Sequence, residues 1–255
     1  MNEGDVALEV YQNLVPTCTL EQQGHKIKFH TPNANVKALV ETIFVVEPET
    51  IAWISSFEPG EIFLDIGANI GLYSVWATVS RQVNCYAFEP ECLNYSILTR
   101  NIIYNNLGDK LIAYPVAISD KSGLDKIHLT VFEPGESCHA VGEKINFANE
   151  TFEPEFSQGC YKTTIDDLID SKALPVPNHI KIDVDGIENK IINGAKNTLD
   201  RPELLSLIVE INAQLPQDIE MVKYIEERGF KSEAAPPSVL APIGSIHNVV
   251  FKRRG

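Results

Sequence analysis

A glycine-rich turn is the first feature of the sequence that could bind a ligand. It reads Asp65-Ile66-Gly67-Ala68-Asn69-Ile70-Gly71 and lies between an apolar run and a segment with helical periodicity. Glycine lets the backbone turn sharply and approach a ligand closely, and the free N–H groups of a helix start favour a carboxylate or another anion. Asp65 lies where it could accept a hydrogen bond from a cationic amine. The alternative is a tight strand-to-helix turn that Asn69 caps.

An acidic residue follows the next apolar run, in Phe88-Glu89-Pro90. In nucleoside-binding folds, an acid about 20 residues beyond the glycine turn binds the ribose hydroxyls, and Glu89 has about this separation. Nicotinamide enzymes prefer G-x-G-x-x-G. Here Asn69 and Leu72 replace the second and third glycines, so a pyrophosphate would meet their side chains. S-adenosylmethionine has no phosphate, and the sequence therefore favours it over NAD.

Charged side chains cluster where two later apolar runs end. Lys181, Asp183 and Asp185 alternate onto one face of the run that ends at Val184, and Glu210 ends the next run. Methyl transfer to oxygen is an in-line displacement in which a carboxylate can take the proton of the attacking hydroxyl. We predict Asp183 as this general base, with Lys181 and Glu210 beside it in the catalytic site. Alternatively, Asp183 and Glu210 cap loops or pair with Lys181.

Metal binding and acid–base catalysis by a histidine are two further possibilities that the sequence leaves open. Asp183, Asp185 and Glu210 could hold a magnesium ion, because hard cations prefer oxygen ligands, although the sequence does not require a metal. His139 follows Gly135-Glu136-Ser137-Cys138. It could act as a catalytic acid or base from a mobile loop, or it could be an ordinary surface histidine.

Composition and charge limit the partners. The 255 residues carry a formal net charge of -14, whereas nucleic-acid binders need a basic surface. We expect no nucleic acid but a small-molecule or carbohydrate acceptor, neutral or cationic rather than phosphorylated. No run approaches the roughly 18 apolar residues of a membrane helix, the start lacks signal-peptide features, and five scattered cysteines indicate neither disulfides nor zinc. The sequence predicts a soluble, cytoplasmic protein without membrane contact.

The elements that must position these residues alternate between strand and helix over residues 61–255. This alternation predicts a mainly parallel sheet with ligands beyond the carboxyl ends of its strands. Residues 1–60 are predicted as an N-terminal extension, with a strand over 24–30 and a helix over 49–57, that packs on the core. In the main domain we predict strands over 62–66, 83–88, 111–116, 124–132, 179–184, 204–211, from 230 and over 246–252, and helices over 69–80, 91–106, 164–170, 186–199 and 217–228.

Residues 134–159 show little periodicity. A stretch of this length inside a compact domain is typically a functional loop or a lid. Together with residues 1–60, it is the expected source of the acceptor pocket.

Five segments together resemble the FkbM family of methyltransferases. The resemblance covers Pro48 to Ile211 and implies a class I methyltransferase fold. This is an α/β, Rossmann-like fold with a seven-stranded, mainly parallel sheet, its last strand antiparallel, and helices on both faces. The sequence departs from the family at Asp185, where Glu is usual, and at Ile187, where His is frequent. The segments are Asp65-Ile66-Gly67-Ala68-Asn69-Ile70-Gly71, Phe88-Glu89-Pro90, Ala117-Ile118-Ser119-Asp120, Thr164-Ile165-Asp166-Asp167 and Ile180-Lys181-Ile182-Asp183-Val184-Asp185-Gly186-Ile187-Glu188.

The resemblance also implies roles for single residues in binding S-adenosylmethionine. One group would line its methionine part, a second would hold the ribose and a third would face the adenine. These groups are, in that order, Asp65, Gly67, Asn69, Gly71 and Tyr73; Glu89 with Pro90; and Asp120.

The expected function is S-adenosylmethionine-dependent O-methylation of a hydroxyl on a sugar, a glycan or a small natural product. One alternative is N-methylation of another acceptor, although the N-P-P-Y motif of amino-methylating DNA enzymes is absent. A second alternative is a non-catalytic module that binds S-adenosylmethionine. The acids Asp183, Asp185 and Glu210 beside an intact glycine turn argue against it. The sequence sets no oligomeric state.

Overall fold

The structure, a computed structural model, describes Val10 and residues 14–137, 139–145, 150–234 and 246–254. Strands and helices alternate through most of this range. In chain order they are β1 (Thr17–Gln22), β2 (His25–His30), α1 (Ala34–Val46), α2 (Pro48–Ile54), β3 (Ile62–Ile66), α3 (Leu72–Arg81), β4 (Asn84–Phe88), α4 (Cys92–Tyr104), β5 (Leu111–Tyr114), β6 (Ala117–Ile118), β7 (Gly123–Leu129), β8 (Ala140–Val141), β9 (Phe156–Thr163), α5 (Ile165–Asp170), β10 (His179–Ile182), α6 (Glu188–Asn193), α7 (Lys196–Leu199), β11 (Ser206–Asn212), α8 (Pro216–Glu227), β12 (Phe230–Ala234) and β13 (Ile246–Arg253).

The central sheet has seven strands in the order β12-β13-β11-β10-β3-β4-β5. Neighbours from β11 to β5 are parallel, while β13 runs antiparallel to both β11 and β12. The predicted mainly parallel sheet with an antiparallel last strand is confirmed. From β3 the chain first builds β4 and β5 on one side and later β10 and β11 on the other. Strand order therefore reverses between β3 and β10, where open α/β sheets bind ligands.

Helices cover both faces of this sheet. Strand β3 alternates between them, since Phe63 belongs to the apolar core under α3 and α4 whereas Leu64 belongs to the core under α6 and α8. Trp76 of α3 and Ile225 of α8 are buried in these two cores, and each buried side chain of this size contributes about 1.5–3 kcal/mol. No helix of the described residues is both long and apolar enough to span a bilayer.

The N-terminal elements pack directly on the main domain. The backbone N–H groups of Lys28 and His30 in β2 donate to the side chains of Asn105 and Asn101 at the end of α4, at 2.9 and 2.7 Å. The indole of Trp53 in α2 donates to Ser206 of β11 at 2.8 Å. Helix α1, which we did not predict, buries Val36, Val40 and Ile43 on one face.

Two predicted elements differ from the structure. Residues 156–159 of the predicted loop region belong to β9, which pairs antiparallel with β7 in a separate sheet of order β6-β9-β7-β8. Cys138 and residues 146–149 of that region lie outside the described residues. The single helix predicted over 186–199 is divided into α6 and α7. Gly194 lies between them, and a Cβ there would lie 2.2 Å from the carbonyl oxygen of Ser119, so this close approach requires glycine.

Candidate active site

A cavity of about 300 Å³ opens at the carboxyl ends of β3, β4 and β10, where strand order reverses. Its lining combines the predicted glycine turn, the acid after β4 and the charged residues after β10 with side chains of α1. The sequence-predicted residues in the lining are Gly67, Asn69, Tyr73, Glu89, Pro90, His139, Lys181, Asp183, Asp185 and Glu210. Asp65, Gly71 and Asp120 are not among the lining residues.

The glycine turn follows β3 directly and packs against β10. Gly67 has a φ of +80°, and a Cβ at this position would lie 1.8 Å from the backbone oxygen of Asp183. The N–H groups of Gly67 and Ala68 both donate to the carbonyl of Phe88 at 3.0 Å. Only glycine fits this position, because both the backbone conformation and the space exclude a side chain.

Asn69 occupies the left-handed region with a φ of 49°. Its side chain donates to the carbonyl of Glu136 at 3.1 Å and accepts from the N–H of Ile70 at 2.7 Å. Its backbone N–H donates to Glu89 at 2.8 Å. Asn69 thus links the turn to the acid after β4 and to the segment Pro134–Ser137, which runs over the cavity edge.

Glu89 is buried at the end of β4, with 6% of its surface exposed. One carboxylate oxygen accepts from Asn69 and the other from the N–H of Glu91, both at 2.8 Å. Burial raises the pKa of Glu89 to about 8, against the opposing effect of these two N–H donors. A carboxyl group fixed in this way can receive the hydroxyls of a ribose.

Apolar side chains line the cavity beyond Glu89. They come from the ends of β4 and β5, from β6 and from the β7–β8 pair, and a flat heterocycle could stack among them. Asp120, which the sequence resemblance places at the adenine, is exposed and outside this lining. The apolar residues are Phe88, Val116, Ala117, Ile118, Ile127 and Val141.

Asp65 and Gly71 lie beneath the cavity rather than in its lining. Asp65 is 1% exposed and accepts a hydrogen bond of 2.5 Å from the hydroxyl of Ser74 in α3. Burial raises the pKa of Asp65, although Lys181 opposes this. Gly71 precedes α3 with a φ of +81°, and a Cβ there would lie 2.2 Å from the side chain of Leu98. Both residues hold the turn in place.

Lys181 and Asp183 form an ion pair at the end of β10. Their Nζ and Oδ2 atoms are 2.5 Å apart, and Lys181 lies 5.0 Å from the ring centre of Tyr73. Burial alone would lower the pKa of Lys181, but the carboxylates of Asp183, Glu47 and Asp65 outweigh it and raise that pKa. The Lys181 side chain is 2% exposed and that of Asp183 is 27% exposed. Both residues line the cavity, and the carboxylate is the more accessible of the two charged groups.

Glu47 was not predicted as a site residue. It lies between α1 and α2, lines the cavity and accepts hydrogen bonds from Thr50 at 2.8 Å and Asn248 at 3.2 Å, and the hydroxyl of Tyr73 also binds it. Burial raises the pKa of Glu47. No motif marks this residue, because its partner Asn248 is 201 positions away in sequence.

Glu210 lines the same cavity from the end of β11. Its pKa is raised well above the ordinary value, first by burial and then by repulsion from Asp183, Asp185 and Glu188. Within the described ranges, no three His, Cys, Asp or Glu side chains are arranged to hold a metal ion. The proposed magnesium set of Asp183, Asp185 and Glu210 is therefore not assembled, since Asp183 is directed to the ammonium group of Lys181.

The segment Pro134–Ser137 is tied to elements on both sides of the cavity. The carbonyl of Glu136 accepts from the side chains of Asn69 and Asn94, and the N–H of Gly135 donates to Asn94 at 2.7 Å. The side chain of Asn33, next to α1, donates to Pro134 at 2.9 Å. His139 follows this segment, is 8% exposed and lines the cavity. The structure thus makes it a buried histidine rather than a surface one.

A seven-stranded sheet of this order, with a glycine turn after β3 and an acid after β4, defines the class I methyltransferase fold. The model of the methyltransferase FkbM domain matches residues 65–232, two thirds of the chain. The chain therefore belongs to the FkbM methyltransferase family.

Individual relatives agree with this assignment. The chain is 28% identical over 177 residues to the hexuronic acid methyltransferase AglP of Haloferax volcanii. The matched region covers 69% of this chain and 66% of that protein. It is 22% identical over 216 residues to the 31-O-demethyl-FK506 methyltransferase FkbM of Streptomyces tacrolimicus. Here the matched region covers 76% of this chain and 82% of that protein. The crystal structure of methyltransferase FkbM from Methylobacillus flagellatus shares the fold, with a TM-score of 0.55 and 15% identity over 87% of this chain and 55% of that one.

Proposed function

We propose that this protein transfers the methyl group of S-adenosylmethionine to a hydroxyl group of a sugar or a related small polyol. The observation that carries the proposal is the partly exposed carboxylate of Asp183, fixed by Lys181 in the cavity that also contains the glycine turn and Glu89. Family membership supports methyl transfer. The names of the two relatives specify a hexuronic acid and an oxygen of FK506 as acceptors, which supports an oxygen acceptor here.

The cavity fits the parts of S-adenosylmethionine in a definite order. The apolar residues beyond Glu89 would contain the adenine, and Glu89 would bind the ribose hydroxyls. The backbone of the glycine turn, where Gly67 and Asn69 line the cavity, would take the methionine part. When bound, the cofactor supplies an electrophilic methyl group on a sulfonium. Glu89 would thus lie at the nucleoside end of the cavity and Asp183 at the end where the methyl group is transferred.

Asp183 acts as the general base in the proposed mechanism. It accepts the proton of the acceptor hydroxyl while the oxygen forms its bond to the methyl carbon and the sulfur–carbon bond breaks. Lys181 holds the carboxylate in one orientation through the buried ion pair. Positioning of the oxygen in line with the methyl group supplies much of the rate. In this proposal Lys181 provides the positive charge beside Asp183.

The charges around the acceptor end favour an uncharged acceptor over a uronate or a phosphate. Among the described residues in the cavity lining, Lys181 is the one lysine or arginine, and Asp183 already pairs with it. The stretches outside the described residues contain no lysine or arginine that could approach. An acceptor anion would therefore lie beside Asp183 and Asp185 without a free cation to neutralise it, and burial of an unpaired charge is unfavourable.

The proposal is tested by measuring S-adenosylhomocysteine formation with matched acceptors. A panel of methyl glycosides, the corresponding uronates and the corresponding amino sugars separates the classes, and mass spectrometry of the product locates the methyl group on oxygen or nitrogen. Turnover of neutral glycosides at oxygen, lost in Asp183→Asn, supports the proposal. Transfer to nitrogen, or a preference for uronates, contradicts it. Failure to bind S-adenosylhomocysteine in calorimetry would contradict the cofactor assignment itself.

A further inference from the structure

His139 is a buried histidine whose two ring nitrogens have no hydrogen-bond partner among the described residues. It directly precedes β8, and its side chain lines the cavity. His128, on the neighbouring strand β7, is buried to the same degree, at 7% against 8%. Yet both nitrogens of His128 are paired, with the hydroxyl of Ser157 at 2.8 Å and the carbonyl of Gly142 at 3.2 Å. Burial therefore does not by itself explain the unpaired ring of His139.

Two unpaired buried nitrogens are costly. Each buried polar group without a partner costs about 1–3 kcal/mol, and native proteins pair nearly all such groups. Burial also lowers the pKa of His139, so the ring is neutral near pH 7 and offers one donor and one acceptor. Because His139 lines the cavity, a ligand bound there can supply the partner that the ring lacks.

The surroundings of His139 identify the part of the ligand. Val141 and Ile127, which pair across β8 and β7, line the apolar end of the cavity. The one charged group that acts on His139 is Glu91, which caps α4 two residues after Glu89. Other charged groups surround the transfer end of the cavity, where Lys181, Glu47 and Glu210 interact with Asp183.

We propose that His139 binds the adenosine part of the cofactor through a hydrogen bond from its imidazole ring. This inference rests on the proposed function and assigns His139 to cofactor binding rather than to acid–base catalysis. His139 and Glu89 line the same cavity, so one bound nucleoside could contact both side chains. The adenosine then supplies the partner that the ring otherwise lacks.

Calorimetry with S-adenosylhomocysteine and 5′-methylthioadenosine tests this assignment, since the second ligand lacks the amino-acid part. His139→Ala should weaken both ligands by the same factor, about tenfold, and His139→Gln should restore part of the loss. His25→Ala is the control, because His25 packs on Trp76 outside the cavity lining and should leave both affinities unchanged. The inference is overturned if His139→Ala loses affinity only for S-adenosylhomocysteine, or if it binds both ligands as tightly as the unmodified protein.

A measurement on the unmodified protein covers the case in which the variants do not fold. The ring ¹⁵N resonances of His139, assigned by their absence in His139→Gln or by sequential labelling, should shift when 5′-methylthioadenosine binds, while those of His128 stay in place. Unchanged His139 resonances at saturation overturn the inference and leave the proposed function intact. If the unmodified protein binds neither ligand, the proposed function fails first, so the two failures are distinguishable.

Discussion

The α-carbon of Gly67 packs against the backbone carbonyl of Asp183, so that a Cβ on Gly67 would lie 1.8 Å from that oxygen. The turn after β3 and the general-base candidate after β10 are therefore in direct backbone contact. The N–H of Asp183 also donates to the carbonyl of Ile66 at 3.1 Å. Because of this contact, the glycine turn and the proposed base cannot move independently.

Replacing Gly67 with alanine should cost far more stability than replacing a glycine of similar conformation in open space. Gly60 is the matched control, since its φ is +87° against +80° and no atom lies within 4 Å of its built Cβ. Left-handed backbone alone costs about 1–2 kcal/mol, which we expect for Gly60→Ala. Gly67→Ala should exceed this by at least about 2 kcal/mol, as measured by chemical denaturation. Equal losses in the two variants would show that the contact with Asp183 can relax.

Asp183→Asn should remove turnover without removing cofactor binding. The variant keeps the shape of the side chain but cannot accept the hydroxyl proton, and a general base typically contributes about 10²–10⁴-fold. Turnover should fall by that factor, whereas calorimetric affinity for S-adenosylhomocysteine should change less than about threefold. Asp109→Asn, on the exposed end of the α4–β5 connection, is the control and should be silent in both assays. Retention of more than about a tenth of the turnover would exclude Asp183 as the base.

Cofactor affinity should increase with pH through the titration of Glu89. Burial raises the pKa of Glu89 to about 8, and ribose hydroxyls donate to its ionised form. At pH 7 only about a tenth of the group is then ionised, so affinity should rise roughly tenfold between pH 7 and pH 9. Binding at pH 7 should also release a proton, which calorimetry in buffers of different ionisation enthalpy measures. Glu89→Gln should bind more weakly and with no such pH dependence.

Lys181→Met should destabilise the protein in a pH-dependent manner. Loss of one partner of a buried ion pair costs roughly 3 kcal/mol, and Lys181 opposes the raised pKa of both Asp65 and Glu47. Without the ammonium group those pKa values rise further. A raised folded-state pKa contributes stability at low pH that is lost as pH rises through it, so the deficit of the variant should be larger at pH 8 than at pH 5.5.

The control for this series is Lys190→Met. Lys190 pairs with Glu143 at 3.2 Å on the surface, with side chains 33% and 65% exposed. Such pairs contribute at most about 1 kcal/mol, and we expect a small loss of stability without a marked pH dependence. A deficit of Lys181→Met that is equal at both pH values would mean that the neighbouring acids do not titrate with it.

Glu47→Gln should weaken acceptor binding more than cofactor binding. Glu47 lines the transfer end of the cavity and is held by Thr50 and Asn248. The amide loses the charge-assisted hydrogen bond to an acceptor hydroxyl, so the acceptor KM should rise about tenfold. Affinity for S-adenosylhomocysteine should stay within about twofold. Glu41→Gln, on the exposed side of α1, is the control, and an unchanged KM in Glu47→Gln would remove this residue from the acceptor site.

Much of the sheet could be predicted from local sequence, because buried parallel strands are short apolar runs with turns at their ends. Strands β3 and β10 and the turn at Gly67 belong to this group. Helix α1 was missed although Val36, Val40 and Ile43 repeat at helical spacing. Strand β9 was missed because Gly159 and several polar residues interrupt its alternation, and its stability comes from pairing with β7.

In the candidate site, too, some residues could be predicted from local sequence, whereas others depend on contacts between distant parts of the chain. Residues after strands, such as Glu89 and Asp183, could be predicted because the sheet brings all strand ends together. Glu47 could not, since its place depends on contacts with Tyr73 and Asn248, which lie far away in sequence. The exposed position of Asp120 was also not predictable, because the fold of β6 and the loop after it decides which side chain faces the cavity.

Helix α1 and Glu47 precede the family-defining region, which begins at residue 65, yet they form one wall of the cavity. Under the proposed function, the stretch of chain that selects the acceptor is thus contiguous and separate from the stretch that performs the transfer. Exchanging residues 33–47 between relatives would change the acceptor preference and leave the methyl-transfer residues unchanged. The exchange must keep the hydrogen bonds of Asn33 with Pro134 and of Glu47 with Tyr73.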